Sequence, residues 1–250
     1  MENESEKLDS LETNIENPIQ EKKKTKPKKW LLRSRWYDLA IQVIAISLSI
    51  TLSFNLNQYQ EHIKNQKLEK FYLKQILFDL ESDIKELEGD IESYVFVRNG
   101  LSFFRKYNWQ ENKYPDSVKI YSQVFFRSTY PLINNNAFET LKSTGKLDII
   151  SNKLILEQLV RIHQEHVPSL LASLDFYIDY KKNIVMPYIY ENLEVTKEYP
   201  SGDLIKLIQK PNFKIKIRFT DNISEILNRY QLLYKEYLNL KKMIEVELAN

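Results

Sequence analysis

An uncharged apolar run at residues 39–56, LAIQVIAISLSITLSFNL, constrains the fold of this chain more than any other feature. A hydrocarbon core of roughly 30 Å is crossed by about 20 helical residues. Because aromatic residues lengthen the run at both ends, we predict one transmembrane helix over residues 36–59. Its membrane anchor consists of large apolar and aromatic side chains, namely Trp36, Tyr37, Leu39, Ile41, Ile44, Ile46, Leu48, Ile50, Leu52, Phe54 and Leu56.

The apolar run has two other interpretations. A cleaved signal peptide would be shorter, would begin nearer the N-terminus and would be followed by a small-residue cleavage site. A buried helix of a soluble protein stays open as an interpretation, because the run is close to the lower limit for a span. The run also contains Gln42 and Asn55, which favour positions near the interfaces or against a partner helix in the membrane.

The charges beside the run give it a direction. Residues 22–35 carry several basic side chains and no acidic one. By the positive-inside rule, the N-terminus stays in the cytoplasm and the residues after the span cross the membrane. We therefore predict a disordered cytoplasmic tail at residues 1–35, whose basic block contacts membrane lipids, a span at 36–59 and an extracytoplasmic helical domain at 60–250.

The composition excludes several classes of protein. The chain has only 4 Gly and 8 Pro, fewer turn residues than a sandwich or barrel needs, so long helices are expected. It has no Cys, which excludes disulfides, thiolate metal sites and cysteine nucleophiles. Its formal net charge is +2, and acids and bases are nearly balanced after the span, so no nucleic-acid partner is predicted.

Two long amphipathic helices are predicted in the domain. After the span, apolar residues repeat in alternating steps of three and four, at Leu73, Leu77, Leu80, Ile84, Leu87 and Ile91. This coiled-coil-like seam weakens near Gln66–Lys70, and it could pair with a second copy or with a helix of the same chain. A final helix from Asp221 to Leu248 has a similar length, which favours antiparallel packing of the two. The predicted fold is all-α: one N-terminal transmembrane helix followed by an irregular antiparallel helical bundle.

The boundaries between the helices have recognisable signals. Asn136 with Glu139 predicts a capping box, and Gly145 suits the left-handed residue that ends the same helix. Ser151 is predicted to cap the next helix, which should end near His166, before Pro168. Pro187 predicts a kink or an end in the helix after that. Residues 213–219, FKIKIRF, alternate like a strand, but helix and extended linker stay open for them.

Two segments resemble those of a known family. The segment that leaves the span reads LNQYQEHIKNQKLEKFYLKQILFDLESDI, and NNAFETLKSTGKLDIISNK follows about sixty residues later. Together they resemble a bacterial family of single-pass membrane proteins catalogued as domain of unknown function 6090. The resemblance covers most of residues 36–250 and is most specific at Asn57–Glu61 and Phe138–Leu147. It implies a single span, a helical domain and a place in the envelope of a Gram-negative cell, but no activity.

Few residues have the pattern of a chemical site. His163 and His166 lie three apart on one predicted helix and could hold a metal if Glu165 or Glu157 joined them. The other interpretation is an interfacial pair, one of which caps the helix end. No HExxH, GxxxxGK[ST], GxGxxG or GxSxG motif occurs in the chain. We therefore predict no metal site, no cofactor and no catalytic residue.

Three further features have a structural and a functional interpretation. The turn around Phe138, Thr140, Lys142, Ser143, Thr144 and Gly145 is explained by capping and core packing, or it faces a ligand or partner. The acids of residues 79–92 form a solvated helix face, or they include a catalytic pair. Tyr230, Tyr234 and Tyr237 share one side of the final helix, where they contribute core packing or a partner-binding surface.

These observations favour a membrane-tethered envelope protein of the bacterial inner membrane, with a cytoplasmic N-terminus and a periplasmic domain. Our leading hypothesis is a protein-interaction or scaffold module that binds another protein or forms a homo-oligomer. The alternative is a small-ligand-sensing helical domain that signals through a partner, since only about 38 residues precede the span on the inner side. An enzyme is the third hypothesis, without a motif to support it.

Overall fold

Helices make up every regular element that the structure describes. The computed structural model describes residues 29–106, 116–193 and 202–249, and no β-strand occurs in them. The all-α class predicted from the rarity of Gly and Pro is therefore confirmed for these residues. In particular, residues 213–219, which alternate like a strand, belong to a helix and to the 3₁₀ turn that follows it.

Nine α-helices lie in the described residues. They are α1 Lys29–Lys106, α2 Asp116–Tyr121, α3 Asn136–Ser143, α4 Lys153–Arg161, α5 Val167–Tyr180, α6 Met186–Asn192, α7 Gly202–Gln209, α8 Pro211–Arg218 and α9 Ile223–Ala249. Three 3₁₀ turns, at Ser122–Phe125, Leu147–Ile149 and Phe219–Asn222, and two π-helical turns, at Ile162–His166 and Lys181–Val185, connect them.

Helix α1 is unbroken over its 78 residues. The weak stretch predicted near Gln66–Lys70 does not interrupt it, because Gln, Glu, Lys and Leu are good helix formers and neither Gly nor Pro occurs between Lys29 and Gly89. The helix also begins before the predicted span. Residues 29–35 of the predicted disordered tail are therefore helical, which corrects that boundary.

Backbone contacts divide the chain into two compact units, residues 1–59 and 60–250. In the first unit, every side chain from Trp36 to Tyr59 is exposed. Helix α1 is long and apolar enough to cross a membrane, and its most apolar window has a mean hydropathy of 1.9 with none of it buried. A core helix of a soluble protein would bury such a window. The exposed apolar surface therefore favours membrane association over that interpretation.

Two polar side chains of this apolar window satisfy their own hydrogen bonds. The Ser49 hydroxyl donates to the carbonyl of Ala45, and the Thr51 hydroxyl donates to that of Ser47, both at 2.8 Å. A hydroxyl bonded to its own helix costs less in hydrocarbon than a free one. This arrangement reduces the effective polarity of a segment that contains many Ser and Thr residues.

The core of the second unit lies between α1 and the helices that follow it. Four residues of the predicted seam, Leu73, Leu80, Ile84 and Leu87, are buried, while Leu77 and Ile91 are half-buried. The most buried stripe of α1 lies slightly to one side and is longer than predicted. It comprises Leu73, Ile76, Leu80, Asp83, Leu87, Asp90, Tyr94, Val97, Leu101 and Phe104.

Helix α9 runs antiparallel to α1. Three hydrogen bonds join the two helices: Tyr230 to Asp90, Tyr234 to Glu88 and Lys241 to Glu81. Residue numbers therefore rise along α9 as they fall along α1. The side of α9 that faces the core has five buried residues, Ile223, Leu227, Tyr230, Tyr237 and Ile244, whereas Tyr234 and Leu248 are half-buried.

Two prolines lie inside continuous helical paths. Pro168 was predicted to end a helix, but α4, the π turn Ile162–His166 and α5 follow one another without a break. The helix end predicted there is wrong. Proline lacks an N–H, and its ring clashes with the carbonyl four residues earlier in an α-helix. The wider π turn before Pro168 accommodates both effects. The π turn Lys181–Val185 precedes Pro187 in the same way, where a kink or an end was predicted; the helical path continues to Asn192.

The caps of α3 and α4 differ partly from the predictions. Helix α3 already includes Asn136, and Asn135 precedes it without a side-chain cap, so the predicted capping box does not form. Helix α4 is capped by Asn152, whose Oδ1 accepts the N–H groups of Leu154 and Ile155. The predicted cap, Ser151, instead donates its N–H and its hydroxyl to Glu69 of α1, both at 2.7 Å.

The C-terminal end of α3 confirms the prediction for Gly145. Its φ is +66°, the left-handed value that glycine adopts without strain. The N–H of Lys146 donates to Leu141 at 2.8 Å and that of Gly145 to Lys142 at 3.1 Å, which is a Schellman motif. Leu147 packs against the core directly afterwards.

Some predictions concern other parts of the chain. Most of the predicted tail, with most of its basic block, lies outside the described residues.

Candidate functional site

An irregular segment, residues 127–135, connects the 3₁₀ turn Ser122–Phe125 to α3 and is held by side chains. Asp83 of α1, 1% exposed, accepts the Asn134 N–H at 3.1 Å and its side-chain amide at 2.5 Å. Glu86 accepts the Leu132 N–H at 2.7 Å, and the Tyr94 hydroxyl donates to Thr129 O at 2.7 Å. Helix α1 therefore supplies the partners that a sheet would otherwise give this backbone.

The burial of two α1 acids corrects a prediction. The acids of residues 79–92 were expected to form a solvated face, yet Asp83 and Asp90 are buried in the main stripe of the helix. Burial raises the pKa of Asp83 to about 6, an effect that the bonds from Asn134 oppose and the charges of Asp79 and Glu86 reinforce. The seven-residue spacing of Asp83 and Asp90 within a continued seam is the signal that could have placed them inside.

Tyr230 and Tyr94 lie beside Asp90 in the core, and Tyr177 packs against Tyr94. Tyr230 donates its hydroxyl to Asp90 at 3.0 Å, and the Tyr94 ring lies 5.3 Å from that of Tyr230 and 6.1 Å from that of Tyr177. Burial raises the pKa of all three phenols. Because Tyr230 and Tyr237 are fully buried, the packing interpretation of the α9 tyrosines is the correct one for these two residues. Tyr234 is half-buried and donates to Glu88 at 2.5 Å.

Lys181 is the one buried lysine among the described residues, with 3% of its surface exposed. Its Nζ donates to the carbonyls of Val124 at 2.9 Å and Arg127 at 2.5 Å, and it lies 5.1 Å from the Tyr177 ring. Burial lowers the pKa of this ammonium to about 7. Lys181 opens the second π turn and attaches it to the start of the 127–135 segment. Sequence patterns alone did not single it out.

A small cavity lies beside His163, which is half-buried. The ring of His163 stacks on that of Phe138 at 4.5 Å, and Asp79, Asn134 and Asn135 line the same space. The cavity holds about 10 Å³, enough for one water and too little for a metabolite. Burial lowers the pKa of His163 to about 4, so its ring is neutral at pH 7.

The histidine pair had two interpretations, a metal cluster or an interfacial pair. Both residues lie in the π turn Ile162–His166, where the spacing of side chains differs from that of an α-helix. Within the described residues, no group of three or more His, Cys, Asp or Glu side chains could hold a metal ion. Neither Glu157 nor Glu165 therefore joins His163 and His166 as the third ligand that a metal site would need.

The predicted ligand turn uses its donors within its own helix. Thr140 donates to Asn136 O at 2.7 Å, Thr144 donates to Thr140 O at 2.7 Å, and Ser143 donates to Thr140 O at 3.3 Å. Lys142 lies 3.6 Å from Glu139, and Phe138 is buried. These contacts agree with capping and packing, while a ligand or partner for this turn stays a prediction.

The outer surface of α4 and of the π turn after it forms another candidate, here called the α4 face. It borders an open groove of about 610 Å³ and consists of Lys153, Leu156, Glu157, Val160, Arg161, Gln164 and Glu165. Leu156 and Val160 are half-buried, and the five polar residues are exposed. Arg161 donates to Gln158, whose amide donates to Glu236 of α9, so the guanidinium is positioned by the core.

Within the described residues, the protein is all-helical, and one helix is able to span a membrane. Its core holds the irregular segment 127–135 through buried polar groups, and the α4 face exposes apolar and charged side chains together. No family model, curated protein or solved structure matches the chain.

Proposed function

We propose that this chain is a membrane-tethered interaction module. The tether is the span at residues 36–59, and the α4 face is the surface that binds a protein partner or another copy. The composition of the α4 face supports this function, because apolar Leu156 and Val160 lie beside exposed charged side chains on one open surface. A surface that mixes apolar and charged residues in this way suits a protein partner.

The proposal includes a topology. The basic block at residues 22–35 keeps the N-terminus in the cytoplasm of a Gram-negative cell, and the domain at 60–250 folds as an irregular antiparallel helical bundle in the periplasm. The segments 57–61 and 138–147 support membership of the family catalogued as domain of unknown function 6090. Surface attraction to anionic lipids would add to the tether, at roughly 1 kcal/mol per basic residue.

Two measurements test the function. A reporter active only in the periplasm is fused at residue 30 or 250, and activity is expected at 250 alone. A photo-reactive amino acid is placed at Leu156 in the full chain, with Lys242 on the exposed part of α9 as the matched control position. In membranes, we expect position 156 to give a discrete crosslinked protein adduct and position 242 to give none. Activity at residue 30, or no adduct at 156, would contradict the proposal.

A further inference from the structure

Helix α1 has a second face, on the side away from the core, that none of the described elements covers. Phe71 and Phe78 lie on it seven residues apart, and they are 55% and 71% exposed. Because seven residues make almost two turns, the two rings lie in line along the helix, about 10 Å apart. Two large aromatic side chains in water, on one side of one helix, indicate an interaction surface.

A third large apolar side chain extends this row. Leu132 belongs to the irregular 127–135 segment and is 74% exposed. Its N–H donates to Glu86 at 2.7 Å, and Glu86 lies eight residues, or about 12 Å, beyond Phe78 on α1. The row therefore offers apolar side chains at intervals of about two helical turns, which is the spacing that the apolar stripe of a second helix matches.

Lysines border the row on one side. Lys67, Lys70 and Lys74 are exposed and follow one another at intervals of three and four residues, so they are neighbours on the surface of α1. No Asp or Glu lies three or four residues from any of them, and none of them forms an ion pair within residues 29–106, 116–193 and 202–249. Neighbouring like charges destabilise a helix. This arrangement suits a surface that acidic side chains neutralise.

The far end of the face has a glycine that the fold does not require. Gly89 is exposed in the interior of α1, and no atom lies within 4 Å of a Cβ added to it. It follows Phe78 by eleven residues, or about three turns, and so lies on the same side of the helix. Glycine weakens a helix relative to alanine, but it lets a second backbone approach closely.

These features form one surface along α1. It consists of Lys67, Lys70, Phe71, Lys74, Phe78, Gly89 and Leu132, here called the α1 outer face. We propose that the α1 outer face binds an acidic amphipathic helix of another protein. The apolar stripe of that helix packs on the exposed apolar row, its carboxylates pair with the three lysines, and its backbone comes closest to α1 at the glycine.

The charges exclude a second copy of the chain as the occupant. With the topology proposed above, two copies in one membrane have parallel α1 helices. Pairing through this face would then bring the lysines of one copy against the same lysines of the other, and like charges in contact oppose association. The α1 outer face shares no residue with the α4 face, so the inference adds a second partner surface and does not depend on the first.

Two designed peptides test the charge preference. Both are amphipathic helices of about four heptads with Leu at the a and d positions, and the remaining positions are rich in Glu in one and in Lys in the other. Their binding to the full chain in phosphatidylcholine nanodiscs is measured by fluorescence anisotropy, with empty nanodiscs as the blank. We expect at least about tenfold tighter binding of the acidic peptide. Equal affinities, or no binding of either peptide, would overturn the proposal.

Charge reversal locates the binding surface. Lys67→Glu combined with Lys74→Glu should remove the preference for the acidic peptide or invert it, because two of the three bordering ammonium groups become carboxylates. Lys182→Glu, at an exposed position on the second π turn, is the matched control and should keep the wild-type preference. A wild-type preference in the double variant would place the acidic peptide elsewhere and overturn the assignment.

Gly89 distinguishes docking from a structural role. Gly89→Ala should leave the urea midpoint unchanged or raise it, because alanine is the better helix former and its Cβ meets no atom. Gly89→Leu should weaken binding of the acidic peptide by about tenfold, because its side chain fills the space where the partner comes closest. Wild-type affinity in Gly89→Leu would contradict a helix packed along this face.

A photo-reactive phenylalanine analogue at position 78, in membranes, identifies the natural occupant. We expect a protein adduct whose crosslinked segment has more Asp and Glu than Lys and Arg, and which is lost in the Lys67→Glu, Lys74→Glu variant. Adducts with lipid, with a second copy or with a segment that is not acidic, or no adduct at all, would each overturn the inference. Failure at position 78 leaves the α4 face untouched, and failure at Leu156 leaves the α1 outer face untouched.

Discussion

Replacement of Lys181 by Met should remove a specific pH dependence of folding. The folded pKa of Lys181 is about 7, against 10.5 for an ordinary lysine. Between these values the unfolded chain binds more protons than the folded chain, so stability rises with pH. From pH 7 to pH 9 this linkage amounts to about 2 kcal/mol. The variant keeps the length of the side chain but has no titrating group.

The same substitution removes two hydrogen bonds. The carbonyls of Val124 and Arg127 lose their donor, which costs roughly 1–3 kcal/mol for each group that stays buried. Loss of the buried ammonium offsets part of this cost, most strongly near pH 7. We therefore expect the destabilisation of Lys181→Met to be smaller at pH 7 than at pH 9.

Urea unfolding of the purified chain in detergent, followed by circular dichroism at pH 7, 8 and 9, measures both effects. Lys182→Met is the matched control, because Lys182 is the exposed neighbour in the same π turn. The control should keep the wild-type rise in stability with pH. If the stability of Lys181→Met rose with pH as steeply as that of wild type, the buried amine of Lys181 would not cause the pH dependence, and the reasoning would be wrong.

Four further substitutions test other parts of the fold by the same unfolding assay. As pH rises from about 4 to about 6, the wild type should lose stability, because the folded pKa of Asp83, about 6, lies above the ordinary 3.8 and the folded chain binds the proton more tightly. Asp83→Asn should remove this loss, and parallel pH profiles of the two chains would contradict the prediction. Gly145→Ala should cost about 1 kcal/mol through its φ of +66°, since no atom lies within 4 Å of an added Cβ; an unchanged midpoint would exclude strain there. Asn152→Ala should lower the free energy of unfolding by about 1 kcal/mol, because α4 loses its cap. Ser151→Ala removes only the hydroxyl bond to Glu69. A larger loss of stability for Ser151→Ala than for Asn152→Ala would reverse the assignment of the cap.

Local patterns predicted much of the backbone. The rarity of Gly and Pro predicted helices, the apolar run predicted a helix able to span a membrane, and Gly145 predicted the end of α3. Each of these features depends on residues within one or two turns of each other. The capping predictions at Asn136 and Ser151 were wrong because their neighbours are held from α1: Asp83 binds Asn134 and Glu69 binds Ser151. A sequence window contains no information on such distant partners.

By itself, the sequence determined the helical class and the membrane-spanning candidate, because helix propensity and hydropathy are local properties. Tertiary structure decided which polar groups are buried. Asp83 is buried because the amide groups of Asn134, 51 residues away, donate hydrogen bonds to it, and Lys181 is buried because carbonyls 54 and 57 residues earlier accept hydrogen bonds from it. Burial of a charged group is favourable only where distant partners replace water, and only the folded chain brings those partners together.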